Sequence, residues 1–136
     1  MKNRRWLAAS TGVVAIFLLI EGGWTAWIID GVHQLEVIPG STFATAEDVA
    51  WAKSYLPAMY VVAIEGLLFG AIAVVGAIGL LTERLWARRM LLVASVLLTL
   101  TAAVAIGMAP HKWDMQGIFI LFCVLLWWES KKWRGE

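Results

Sequence analysis

Four long apolar stretches, parted by short polar segments, constrain this chain more than any other feature. They fall near Trp6–Ile29, Leu56–Leu81, Trp86–Met108 and Trp113–Trp128. An α-helix needs about 20 residues to cross ~30 Å of hydrocarbon. The fourth stretch has the shortest apolar core, Ile118–Trp128, and draws on Met115–Gly117 to reach across. In lipid every backbone N–H and C=O must be satisfied within the protein, so such stretches become helices. The expected fold is all-α: a polytopic four-transmembrane-helix bundle in a lipid bilayer, one domain over residues 1–136. With 61% apolar and 15% charged residues, the chain is too hydrophobic for an ordinary soluble domain. Four spans leave no room for a soluble catalytic domain.

The basic residues orient these spans. Lys2, Arg4 and Arg5 precede the first, Arg84, Arg88 and Arg89 join the second to the third, and Lys131, Lys132 and Arg134 follow the fourth. Of eleven basic residues, only Lys53 and Lys112 fall on the other side. Basic loops stay in the cytoplasm, which places both termini inside, N-in/C-in. Lys2–Arg5 before an apolar run also fits the start of a signal peptide. Glu21, Trp24 and Trp27, however, stand where a small-residue cleavage site belongs, so the segment is expected to remain as a span. The single Cys123 cannot form an internal disulfide and says nothing of redox compartment. A four-helix disulfide-exchange enzyme, which needs cysteine pairs, is excluded on the same count. A formal charge of +1 gives no signal for a polyanion, and no nucleic-acid partner is expected.

The nine tryptophans follow the same topology. Trp6, Trp86, Trp127, Trp128 and Trp133 fall at the cytoplasmic interface, with Trp27, Trp51 and Trp113 at the outer one beside Tyr55. Amphipathic rings settle at headgroup depth, which makes this an aromatic belt. Trp24 lies a turn deeper, three residues after Glu21. The outer loop, residues 30–55, breaks at Pro39-Gly40-Ser41. Thr45-Ala46-Glu47-Asp48 then resembles a capping box with Asp in place of Glu. It opens an expected short interfacial helix over about 46–56, which runs into the second span near Pro57.

The second span carries a seam of small residues, Ala63, Gly66, Gly70, Ala73 and Ala77, at spacings of 3, 4, 3 and 4. Small side chains at that period let another helix backbone come close. The partner is the first span, the third span or another subunit. In the third span Ser95, Thr99 and Ala102 form a weaker polar row.

Two glutamates interrupt the apolar stretches, Glu21 in AIFLLIEGGW and Glu65 in MYVVAIEGLLFG. Each lies eight residues in from the outer surface, counted from Ile29 and Pro57, or about 12 Å at 1.5 Å per residue. Antiparallel neighbours would hold them at one level. Ionisable groups at such depth normally face a partner, a cavity or a pathway. Two readings are open: a proton or cation relay or an anchor for a cationic ligand, and structural pairing between helices. The shared Ile-Glu-Gly context fits either an internal duplication or chance. Tyr60 and Trp24 are candidates to line the pocket. His33 and His111 fall near Asp30, Glu36 and Asp114 but belong to no metal-binding spacing, so no metal site is expected. No catalytic or nucleotide-binding motif occurs, and no cofactor is implied.

The stretch Gly76-Ala-Ile-Gly79-Leu-Leu-Thr-Glu-Arg84-Leu-Trp86-Ala-Arg88-Arg89 resembles the hairpin joining spans two and three in small bacterial four-span membrane proteins grouped as DoxX-like. The resemblance implies a four-helix bundle and a bacterial inner membrane. It carries no activity and no site residues. The long outer segment and one-sided charge differ from those of small multidrug transporters. Together these features suggest a small transport or ligand-binding protein, a homo-oligomer or a partner of other membrane subunits. The alternative is a non-catalytic accessory subunit docked through the second-span seam.

Overall fold

The computed structural model describes residues 2–40, 42, 45–109 and 113–133. Five helices account for nearly all of them: α1 (Lys2–His33), α2 (Ala46–Ser54), α3 (Leu56–Leu81), α4 (Leu85–Met108) and α5 (Trp113–Trp133). No strand occurs among the described residues. Helix α1 has 32 residues, about 48 Å long, so it outreaches a hydrocarbon layer. It continues four residues beyond Ile29 and buries Val32 on the way.

Local chemistry sets the boundaries. Thr45 caps α2: its Oγ1 accepts from the Asp48 amide at 3.2 Å and donates to the Asp48 carboxylate at 2.8 Å. Helix α2 ends at Ser54, and Tyr55 alone separates it from α3. Pro57 sits in the first turn of α3, where a missing N–H does no harm. Between α3 and α4 the chain reverses over Thr82, Glu83 and Arg84. The Arg84 amide donates to the Gly79 carbonyl at 2.9 Å and the Glu83 amide to Leu80 at 3.2 Å. This reversal holds Glu83 in the left-handed region, φ 62°, a conformation that disfavours a side chain by about 1 kcal/mol.

The long helices pack up-down-up-down, with α1 against α3, α3 against α4 and α4 against α5, while α1 and α5 meet only thinly. All four contribute to two apolar clusters. Near the end holding both termini are Leu7, Ala8, Leu80, Ala87, Leu91 and Leu126. At mid-height are Leu18, Phe69, Leu98, Phe119 and Cys123. Large apolar side chains such as Phe17, Ile20, Leu68, Leu97 and Leu121 stand outside, which suits lipid and not water. Three segments are long and apolar enough to cross a membrane: Arg5–His33, Ala46–Leu81 (α2 with α3) and Leu85–Met108. Helix α5 is 21 residues long, enough for about 31 Å, with Asp114 and Gln116 near one end and Glu129 near the other.

The small-residue seam is filled from within the chain. A methyl carbon at Gly66 would lie 2.5 Å from the Leu18 carbonyl oxygen and 2.6 Å from the Gly22 Cα; one at Gly70 would meet Leu19. Ala63, Ala73 and Ala77 are buried beside them. Further along α3, Gly76 and Gly79 receive Leu91 and Ala87 of α4. Most of the tryptophans expected at the interfaces are exposed, among them Trp6, Trp27, Trp51, Trp86 and Trp128. Trp127 is different. It turns partly inward, and its indole N–H donates to Ser95 Oγ at 2.6 Å.

Candidate functional site

The approach of Gly22 to Gly66 fixes the level of the two glutamates, because each is the residue before its glycine. Helices α1 and α3 cross antiparallel at this point. The two Ile-Glu-Gly elements thus meet at the crossing. Only glycine permits it, since a Cβ at Gly22 would fall 2.6 Å from the Leu67 amide nitrogen. Glu21 comes close enough to Glu65 for the carboxyls to interact electrostatically. The surroundings differ, however. Glu65 is 2% exposed, whereas Glu21 is half-buried at the edge of the α1–α3 contact.

The difference comes from α5. Gln116 is 1% exposed, and its amide approaches the Glu65 carboxyl closely enough to interact with it. The geometry stops short of a good hydrogen bond. Among the described residues Glu65 Oε2 and both polar atoms of the Gln116 amide lack a partner. Buried polar groups are normally satisfied, so three orphan atoms at one spot mark it as unusual. The inward face of α5 continues with Phe119 and Cys123. The Cys123 thiol lies beside the Thr99 hydroxyl and within electrostatic range of Glu65. Thr99 Oγ1 donates to the Ser95 carbonyl at 2.8 Å, and Ser95 Oγ donates to Leu92 at 2.7 Å. A column of polar groups thus descends from the carboxyls toward the end holding the termini.

Trp24 and Tyr60 do not join this site. Trp24 follows Gly22 by two residues, about 200° around the helix, so burying Gly22 against α3 sends Trp24 outward. It is 61% exposed and packs on Trp27, with ring centroids 5.3 Å apart. Tyr60 is 44% exposed, and its hydroxyl is 2.6 Å from His33 Nε2, a link between the outer ends of α1 and α3. His111 lies outside the described residues. No group of three metal-ligating side chains occurs among those described.

Gln116 has no counterpart among the sequence candidates. Its signal was spacing: Gln116, Phe119, Cys123 and Leu126 recur at 3, 4 and 3, the inward stripe of a helix. Outside the carboxyl layer, α2 covers a pocket of about 110 Å³ lined by Thr25, Trp51, Tyr55, Ala58, Met59 and Val62, among others. Thr25 follows Glu21 by one turn and Val62 precedes Glu65 by about one, which puts the pocket on the outer flank of the glutamates. Comparison of the chain with protein-family models, curated proteins and solved structures finds no match.

Proposed function

We propose that this chain is a four-span protein of a bacterial cytoplasmic membrane, both termini inside, that binds or moves an ion at Glu21 and Glu65. The ion is a proton, a metal cation or a small cationic ligand. The observation that carries the reading is the cluster of unpartnered buried atoms, Glu65 Oε2 with the Gln116 amide, beside a second carboxyl. A carboxyl serving only to hold helices together would complete its hydrogen bonds, because an unsatisfied polar group in a low dielectric costs about 1–3 kcal/mol. Groups kept in that state at a helix junction fit a site whose partner comes and goes. The pocket on the outer flank gives that partner an approach.

The competing reading is a non-catalytic accessory subunit of a larger membrane complex; in the α3 seam Gly66 and Gly70 pack on α1. Such a role would have to use a face other than that of these two glycines. The test is uptake into proteoliposomes containing the purified protein. Glu65→Gln and Glu21→Gln keep side-chain shape and remove the ionisable group. Both variants should assemble as the parent does, and Glu65→Gln should bring uptake down to the protein-free background. Undiminished uptake by both variants would defeat the proposal.

A further inference from the structure

Glu65 belongs to the inward stripe of α3, which runs Ala58, Val62, Glu65, Phe69. The two members on its outer side, Ala58 and Val62, are walls of the pocket under α2. From Val62 to Glu65 is three residues, about 4.5 Å of rise. On α1 the pocket is walled by Thr25, which is buried one turn beyond Glu21. Pocket and carboxyl layer are therefore successive levels of one interior. Neither carboxyl forms part of the lining; Glu65 lies beneath its floor. Helix direction decides which way it leans. A helical side chain tilts toward the N-terminus and covers the turn before its own Cα. Helices α3 and α5 both begin at the outer end, opposite the termini. Glu65 and Gln116 thus lean outward, toward the pocket, whereas Glu21 on the reversed α1 leans inward.

Charge, hydrogen bonding and size then describe an occupant. No basic side chain is buried among the described residues, so a positive charge to match Glu65 has to come from outside the chain. The unpartnered atoms include two acceptors, Glu65 Oε2 and Gln116 Oε1. An ammonium group, with three N–H donors, can serve both. The pocket above is walled by Ala58, Met59 and Val62 and by the rings of Trp51 and Tyr55, which meet edge to face at 5.0 Å. Such rings attract an organic cation. A bare metal ion needs about six oxygen ligands, and these walls do not supply them. A proton needs no chamber. The pocket volume of about 110 Å³ is on the order of an apolar cavity that takes up benzene.

We infer that the ligand of the carboxyl site is a small protonated primary amine, its apolar or aromatic body in the pocket under α2 and its ammonium directed down to Glu65 and Gln116. This inference rests on the carboxyls being an ion site and names the chemical class of the ion. A short alkyl link between body and nitrogen spans the single turn from Val62 to Glu65. The body gains from leaving water, and the ammonium exchanges its hydration for a buried carboxylate. Each half explains a feature that the other leaves idle. The body accounts for an apolar chamber above the carboxyl, and the ammonium for acceptors kept open beneath it.

The test is equilibrium binding of radiolabelled phenethylamine to the full chain in lipid nanodiscs, with protein-free discs to subtract partition into lipid. The parent should bind it saturably. Phenethyl alcohol, which keeps the body and lacks the charge, should compete at least about tenfold less well, the effect of a lost hydrogen bond to a charged group. Methylamine, which keeps the charge and lacks the body, should also compete poorly. These comparisons need only the parent protein, so they hold whether or not a variant folds. Glu65→Gln should weaken binding by at least about tenfold, and Ala58→Leu, which fills the pocket away from the carboxyl, should abolish it. Equal competition by phenethyl alcohol, or full affinity in a folded Ala58→Leu variant, overturns the inference. No saturable phenethylamine binding, together with Glu65-dependent uptake of sodium or protons into proteoliposomes, overturns the amine and leaves the carboxyl site standing. Absence of both overturns both proposals.

Discussion

Replacing Gly66 with alanine tests the crossing on which the site depends. The added methyl would lie 2.5 Å from the Leu18 carbonyl oxygen and 2.6 Å from the Gly22 Cα, whereas ordinary contact begins at 3.4 Å. Both neighbours are backbone, so no rotamer change relieves the clash, and α1 and α3 have to part by roughly 1 Å. Overpacking costs about 1–3 kcal/mol, and with backbone on both sides of the clash the upper part of that range, about 2–3 kcal/mol, applies. Alanine returns about 1 kcal/mol in helix propensity. The expected net loss is therefore about 1–2 kcal/mol. Gly22→Ala strikes the same contact from the other side, at 2.6 Å from the Leu67 amide nitrogen and 2.8 Å from the Gly66 carbonyl carbon. One parting of the helices relieves both clashes, so the double variant should lose little more than either single one, a coupling of about 1–2 kcal/mol. Gly23→Ala, with nothing within 4 Å of its added methyl, is the control and should be neutral or stabilising. Unfolding in mixed micelles of rising SDS fraction, followed by tryptophan fluorescence, yields all four free energies. Single variants as stable as the parent, or losses that simply add, would refute a backbone-to-backbone crossing.

Two further substitutions separate stability from function at the polar column. Gln116→Leu removes an amide whose two polar atoms are buried without partners; it should raise stability by about 1–3 kcal/mol while reducing uptake, measured on one preparation by unfolding and by flux. A loss of stability would mean that the amide is satisfied and structural. Trp127→Phe deletes the 2.6 Å bond to Ser95 Oγ and should cost about 1 kcal/mol. An unchanged unfolding midpoint would return Trp127 to the interfacial belt.

The helices were legible because hydropathy alone marks segments that must satisfy their backbone internally. The stretch 56–81 is α3 residue for residue, and the Thr45 cap forms with Asp48 as its spacing suggests. The level of the two glutamates was legible for a subtler reason. The glycine after each is the contact point of the crossing, so the repeated tripeptide carried geometric information. What hydropathy did not carry was rotation about the helix axis. Trp24 looked like a neighbour of Glu21 at three residues' distance. The inward face of α1 is set by Gly22, and that leaves Trp24 on the far side. Trp127 read as a belt residue by depth alone, although a hydroxyl on α4 draws it inward. Hydropathy gives Gln116 no mark beyond the length of its segment, whereas the phase of α5 aims it at Glu65. The partner of the α3 seam was equally a matter of rotation, which pairs of helices decide together.

The short reversal between α3 and α4 bears on how the chain enters a bilayer. Three residues, Thr82 to Arg84, link the two helices, and even fully stretched they reach only about 11 Å, a fraction of a ~30 Å hydrocarbon layer. Neither helix can be drawn across while the other waits on the opposite side. Two spans so linked have their joined ends on one face of a bilayer, as a hairpin. An error of insertion at this point cannot invert one helix and spare its neighbour. It would displace the pair, and with it the wall that carries Glu65.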